Sequence, residues 1–137
     1  MTLNVAATRT RKPLFAIGLA LLLSHELDAV KHAEWQVLPL LRWLDDANGY
    51  PVFVLAHVPL FAVMLWALAH RSSAVRRNTR FGLAAFMVIH AGLHWAFHED
   101  PHYHFAGWLS HGLVGGAAIF GALYLAAVLA ARPSSRA

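Results

Sequence analysis

Ser24-His25-Glu26-Leu27-Asp28-Ala29-Val30-Lys31-His32-Ala33-Glu34-Trp35 follows directly on the apolar run 14–23. No proline separates the two, so they read as one helix that begins in lipid and ends among ionisable side chains. Hydrocarbon solvates neither imidazole nor carboxylate, and such groups in a spanning segment face a protein interior or water and mark a functional site. At 100° per residue His25, Asp28 and His32 fall within about 60° of one another, on one helix face. That face needs partners from elsewhere in the chain.

The composition says what kind of protein surrounds it. Of 137 residues, 58% are hydrophobic and 13% charged, too apolar a balance for a small soluble domain and typical of an integral membrane protein. Cysteine is absent, which excludes disulfides and thiolate metal sites, so any metal is held by nitrogen and oxygen. The net charge of +4 comes from basic residues in short flanks beside apolar runs. Membrane topology accounts for that pattern, and nucleic acid is not expected as a partner.

Four apolar segments, 14–35, 52–69, 81–97 and 105–131, each come near the ~20 residues that cross ~30 Å of hydrocarbon. The expected fold is therefore an all-α transmembrane bundle of four helices running up-down-up-down, with 1–137 as one domain. Pro13 suits the first turn of the first helix and Pro39 closes its exit; Pro51 opens the second. A cleaved leader is the rival reading of the basic start, but no A-x-A-like site follows the apolar run. With alternating helices, the amino terminus, the 71–80 loop and the carboxyl terminus hold nine of the eleven Lys and Arg and none of the seven Asp and Glu. The positive-inside rule then puts both termini on the cytoplasmic side of the inner (plasma) membrane and the two acidic loops on the extracytoplasmic side.

The same alternation gathers nine of the ten histidines toward the outer side. His25, His57, His90, His94 and His111 come from four different helices and lie roughly 5 to 15 Å below their outer ends at 1.5 Å per residue. His90 and His94 are four residues apart and can bind one ion together. The five histidines His25, His57, His90, His94 and His111 with Asp28 form the expected ligand set, and imidazole with carboxylate suits zinc, iron or copper. That exceeds a closed four-ligand zinc site, which points to two metals or to ligands backed by an outer layer. Glu26 and His32 are the expected proton carriers if the metal acts catalytically. Haem is the alternative cofactor, with His25 and His90 or His57 and His111 as axial pairs. The plainer reading makes His25 and His57 hydrogen-bonding residues between helices, and the histidine cluster then belongs to a transport or structural module.

Other features are weighed in the same way. His98-Glu99-Asp100-Pro101-His102 matches H-E-x-x-H literally, but Pro101 prevents the continuous helix that this zinc motif needs. Lys31 reads as a surface ion-pair partner of Asp28 and Glu34. Gly112 and Gly116 form a G-x-x-x-G pair that permits close helix approach, within the bundle or between copies in a homo-oligomer. Pro59 frees the carbonyl of Leu55 beside His57. Trp35, Trp43, Tyr50, Tyr103 and Trp108 collect at the outer boundary as an aromatic belt.

His25-Glu26-Leu27-Asp28-Ala29, Glu34-Trp35, Pro39, His57-Val58-Pro59, His90-x-x-Leu93-His94, Pro101-x-Tyr103-x-Phe105 and Leu109-Ser110 together resemble an uncharacterised family of small bacterial four-span membrane proteins. The resemblance covers residues 14 to 125 and implies membrane location and four helices, without an activity. The residues themselves point to a metal-dependent membrane protein, with membrane lipid as its surroundings and a lipidic small molecule as the expected substrate if it is an enzyme.

Overall fold

The computed structural model of the chain describes residues 2–131, with side chains from Thr10 onward; the side chain of Arg9, and Arg132 and Arg136, which enter the charge count, lie outside it. Among the described residues there are four helices and no strand: α1 (Thr2–Lys31), α2 (Asp46–Ala69), α3 (Ser73–Ala96) and α4 (Trp108–Ala130), with a 3-10 turn at Glu34–Gln36 after α1. Three helical stretches, Thr10–Lys31, Asp46–Ala69 and Trp108–Ala130, are long and apolar enough to cross a membrane. The remaining helix, α3, carries Arg76, Arg77 and Arg80 in its first turns and is apolar only from Phe81 onward.

The helix limits depart from the expected ones where local chemistry intervenes. α1 stops at Lys31 instead of continuing to Trp35, because Ala33 takes a left-handed conformation (φ 53°, ψ 47°) and turns the chain. It also starts at Thr2, so Pro13 lies inside the helix. α2 begins five residues ahead of Pro51, where Asp45 caps it by accepting a hydrogen bond from the Asn48 backbone N–H at 2.9 Å; this satisfies one of the unpaired donors of the first turn.

Contacts between the helices fix their directions. Phe15 of α1 meets Tyr124 of α4 with ring centroids 5.4 Å apart, and Asp28 accepts a hydrogen bond from Ser110 at the other end, so α1 and α4 are antiparallel. Glu26 pairs with His57 while Trp35 packs on Phe53, which makes α2 antiparallel to α1. α3 runs beside α1 in the same direction, from Met87 near Gly18 to His94 at His25. Phe15, Leu22, Ala84, Met87, Ala117 and Tyr124 form the main buried cluster, and Ala29, Trp35, Phe53 and Phe105 a second one at the histidine end. α2 keeps most of its large side chains outward, Leu55, Val58, Leu60, Val63, Leu65 and Trp66 among them. An apolar outer face of that size belongs against lipid or another apolar surface.

Glycine sets the closeness of α3 and α4. A β-carbon on Gly121 would stand 2.8 Å from the Ala84 carbonyl oxygen and 3.0 Å from Met87, whereas one on Gly112 would meet nothing within 4 Å. Of the expected G-x-x-x-G pair, Gly116 therefore faces Leu21 of α1 inside the bundle and Gly112 faces open space. Gly121→Ala is expected to destabilise the fold by about 1–3 kcal/mol, the usual cost of overpacking. Gly112→Ala should stay within about 0.5 kcal/mol, and unfolding of the two purified variants in mixed detergent micelles measures the difference.

Candidate metal centre

The centre is assembled from three pieces of chain. His25 comes from the last two turns of α1, His90 and His94 from successive turns near the end of α3, and Glu34 from the 3-10 turn. All four are buried, and one ligand atom from each lies within 4.8 Å of the others. His25 Nε2 stands 3.1 Å from His94 Nε2 and 3.8 Å from Glu34 Oε2, and His94 Nε2 stands 3.6 Å from Glu34 Oε1. Ligands bound at ~2.1 Å around one tetrahedral ion are about 3.4 Å apart, so these separations bracket the spacing of a shared ion. His90 Nε2 is buried and has no hydrogen-bond partner among the described residues. A buried polar atom normally has one, and a metal would supply it.

The turn at Ala33 is what brings Glu34 in. On a helix continued past Lys31, Glu34 would lie about 180° around the axis from His25, facing away. With Ala33 left-handed, the Gln36 backbone N–H bonds to the Ala33 carbonyl at 2.9 Å, and the carboxylate swings back to His25 and His94. The neighbouring Trp35 anchors the turn: its indole lies over Gly49, where a β-carbon would come within 2.4 Å of Trp35 Cδ1, and its Nε1–H donates to Asp46 at 3.4 Å. Burial, reinforced by Glu26, pushes the Glu34 carboxyl up to about 8. A cation among these nitrogens would restore the carboxylate form.

Around the four ligands is a supporting layer. The Tyr103 hydroxyl meets His94 Nδ1 at 3.1 Å, so when Nε2 faces an ion the Nδ1–H donates to the phenol oxygen. Such a contact fixes the tautomer and aims the ring. Burial, with Glu34 nearby, holds the Tyr103 phenol above its usual value, which keeps it protonated. Phe105, 1% exposed, covers the cluster, with ring centroids 5.5 Å from His25 and 4.8 Å from His94. Asp28 lies beside His25 and His94, accepts a hydrogen bond from Ser110, and sits 3.3 Å from His32 Nε2.

The expected ligand set is thus divided. His25, His90 and His94 come together, and Asp28 stands next to them. His57 does not join: its Nδ1–H donates to the Phe53 carbonyl at 2.7 Å and its Nε2 meets Glu26 at 2.9 Å, which occupies both ring nitrogens. Glu26, expected as a proton carrier, is held in that pair on the α2 side, while His32 touches Asp28. His111 is exposed and lies outside the cluster, lining with His94, Tyr103 and Phe105 a cavity of about 300 Å³. The H-E-x-x-H match is no helix: its residues lie in turns, where Asp100 accepts from the His102 backbone N–H at 3.0 Å and meets Arg42 at 3.2 Å.

Glu34 is absent from the expected set because helical continuity turned it outward. Its burial beside two histidines depends on one left-handed residue, and alanine gives no warning of that conformation. The only hint in the sequence was its place in the Glu34-Trp35 pair of the family resemblance.

Two substitutions test the arrangement. Tyr103→Phe removes the bond that orients His94 and should weaken metal binding by roughly 10- to 100-fold. Gly49→Ala forces the Trp35 indole to move and should also lower metal affinity, with far-UV circular dichroism unchanged. Competition against a chromogenic chelator reads both.

Residues 11–131 match the model of a family of unknown function, DUF6713. No curated protein and no solved structure matches the chain. A match that covers most of the chain, with His25, Glu34, His90 and His94 inside it, makes the chain a member of the DUF6713 family.

Proposed function

We propose that the protein is an integral membrane metalloprotein of the bacterial inner membrane that binds one zinc, iron or copper ion through His25, Glu34, His90 and His94. The observation that carries this reading is the convergence of four buried ligand atoms within 4.8 Å from three separate segments. Three imidazoles and one carboxylate suit these metals and not calcium or magnesium. In this reading α3 crosses the membrane with the other helices. It shares the cluster with α1 and runs beside it, and its apolar part from Phe81 to Ala96 covers about 24 Å at 1.5 Å per residue. Both termini are cytoplasmic, in line with nine cations at one end and all seven carboxylates at the other.

A cavity of about 340 Å³ adjoins the centre, bordered by Glu34, His90 and His94 and walled by Leu38, Leu93 and Phe97. Its walls are apolar, so the substrate class that fits is an alkyl or acyl chain reaching the centre from the lipid. A bound ion supplies Lewis acidity or redox capacity there. The chain contributes orientation through Tyr103, exclusion of water through Phe105, and a proton route from His32 through Asp28. A specific feature also favours a second reading: four protein ligands close a tetrahedral shell, as structural metals do, and such an ion would tie α1 to α3 without turnover. Haem fits less well. The rings of His25, His90 and His94 have centroids 4.7 to 5.0 Å apart and fill the space a porphyrin would need between axial nitrogens.

Full-length protein purified in detergent is expected to carry one metal per chain by plasma mass spectrometry. His90→Ala/His94→Ala should lose it, with affinity down by more than the roughly 100-fold typical of outer-layer losses, while His57→Ala and His111→Ala retain it. Equal metal in the double variant, or none in folded wild type, contradicts the proposal. A haem absorption band moves the assignment to a b-type cytochrome.

A further inference from the structure

The opposite end of the bundle holds a second cavity, of about 440 Å³, between α1, α3 and the ends of α2 and α4. Four cations border it, Arg11 and Lys12 from α1 with Arg77 and Arg80 from α3, and its floor includes Phe15 and Val128. None of the seven carboxylates of the chain is at this end: all lie between Glu26 and Asp46 or at Glu99 and Asp100. The positive charges therefore have no carboxylate side chain as partner among the described residues. Arg11 Nε is buried without a hydrogen-bond partner among the described residues. Arg76 shows the contrast, since its guanidinium donates to the carbonyls of His70 and Arg71 and is used in joining α2 to α3.

Four like charges around one apolar-floored cavity repel each other unless an anion sits among them. The anion that fits carries two features: several acceptor oxygens for the guanidinium groups, and a hydrocarbon portion for the floor. Guanidinium groups pair with phosphate through parallel N–H donors, and basic pockets between membrane helices on the cytoplasmic side take lipid head groups. We infer that this cavity is a phosphate-binding site, filled by the head group of an acidic phospholipid whose chain lies on Phe15 and Val128. It is independent of the metal centre, which lies some 21 Å away along α1, counting 14 residues from Arg11 to His25 at 1.5 Å each.

The test uses full-length protein in a neutral detergent and follows its thermal unfolding midpoint. Dioctanoyl phosphatidylglycerol is expected to raise the midpoint saturably, and dioctanoyl phosphatidylcholine to have no such effect. Arg77→Gln/Arg80→Gln should weaken the phosphatidylglycerol response by on the order of tenfold or more, the loss expected for charge-assisted bonds. Arg11→Gln provides a second reading should the double variant fold poorly. Lys31→Gln, at the far end, should leave the response unchanged. Inorganic phosphate acting at the same concentration as the lipid supports the phosphate site and makes a soluble anion its source. Equal effects of the two lipids, or a phosphatidylglycerol response unaltered in both arginine variants, overturn the inference.

Discussion

Three imidazoles and a carboxyl group packed together where water is scarce form the constraint on which the rest of the structure depends. Each such group is costly to bury unless another group satisfies it. Here they satisfy one another only in part: His25 and His94 face each other at 3.1 Å, Glu34 stands just beyond hydrogen-bonding distance of both, and His90 Nε2 has no hydrogen-bond partner among the described residues. One cation would complete all four at once. Read from that point, the close approach of α3 and α4 at Gly121 and the left-handed turn at Ala33 serve the same end. The first seats α3 closely on α4, which also packs against α1, and the second folds Glu34 back onto the histidines.

The polarity of the molecule follows from separating its charges. Carboxylates and most histidines are at one end and most of the cations at the other, while the flank of α2 between them is apolar and faces outward. Each end then offers a different chemistry. One gathers neutral nitrogen and oxygen donors beside an apolar cavity, as a transition metal and a hydrocarbon substrate require. The other gathers guanidinium groups over an apolar floor, as a phosphate on a lipid requires. Glu26 and His57 belong to neither, and their pairing across α1 and α2 holds α2 to the bundle at the level of the metal centre.

Much of this was legible in the sequence, because helical periodicity is a local property. The spacing of His90 and His94 and the position of His25 on the α1 face lead directly to three of the four clustered residues. Hydropathy gives the helices, although the arginines that open α3 keep it below the apolar content of the other three. What could not be read depended on a single backbone conformation or on partners distant in sequence. Glu34 joins the cluster because Ala33 is left-handed, and continuous periodicity turned it away. His57 has the depth of a ligand, yet its two nitrogens are taken by Phe53 and Glu26. His111 shares the same level on α4 but is exposed and outside the four-residue cluster, while its neighbour Ser110 is the residue that bonds to Asp28. Depth along a helix fixes the layer; only packing fixes the direction.

The central claim is that one metal ion sits among His25, Glu34, His90 and His94. X-ray absorption spectroscopy at the edge of the metal that copurifies with the full-length protein tests it most directly. The account predicts a single shell of nitrogen and oxygen donors near 2.0–2.1 Å, as for zinc bound by histidine and carboxylate, with imidazole outer-shell scattering from about three rings and no second metal nearby. A spectrum without imidazole scattering, or one fitted by a porphyrin or by a metal pair, would contradict it.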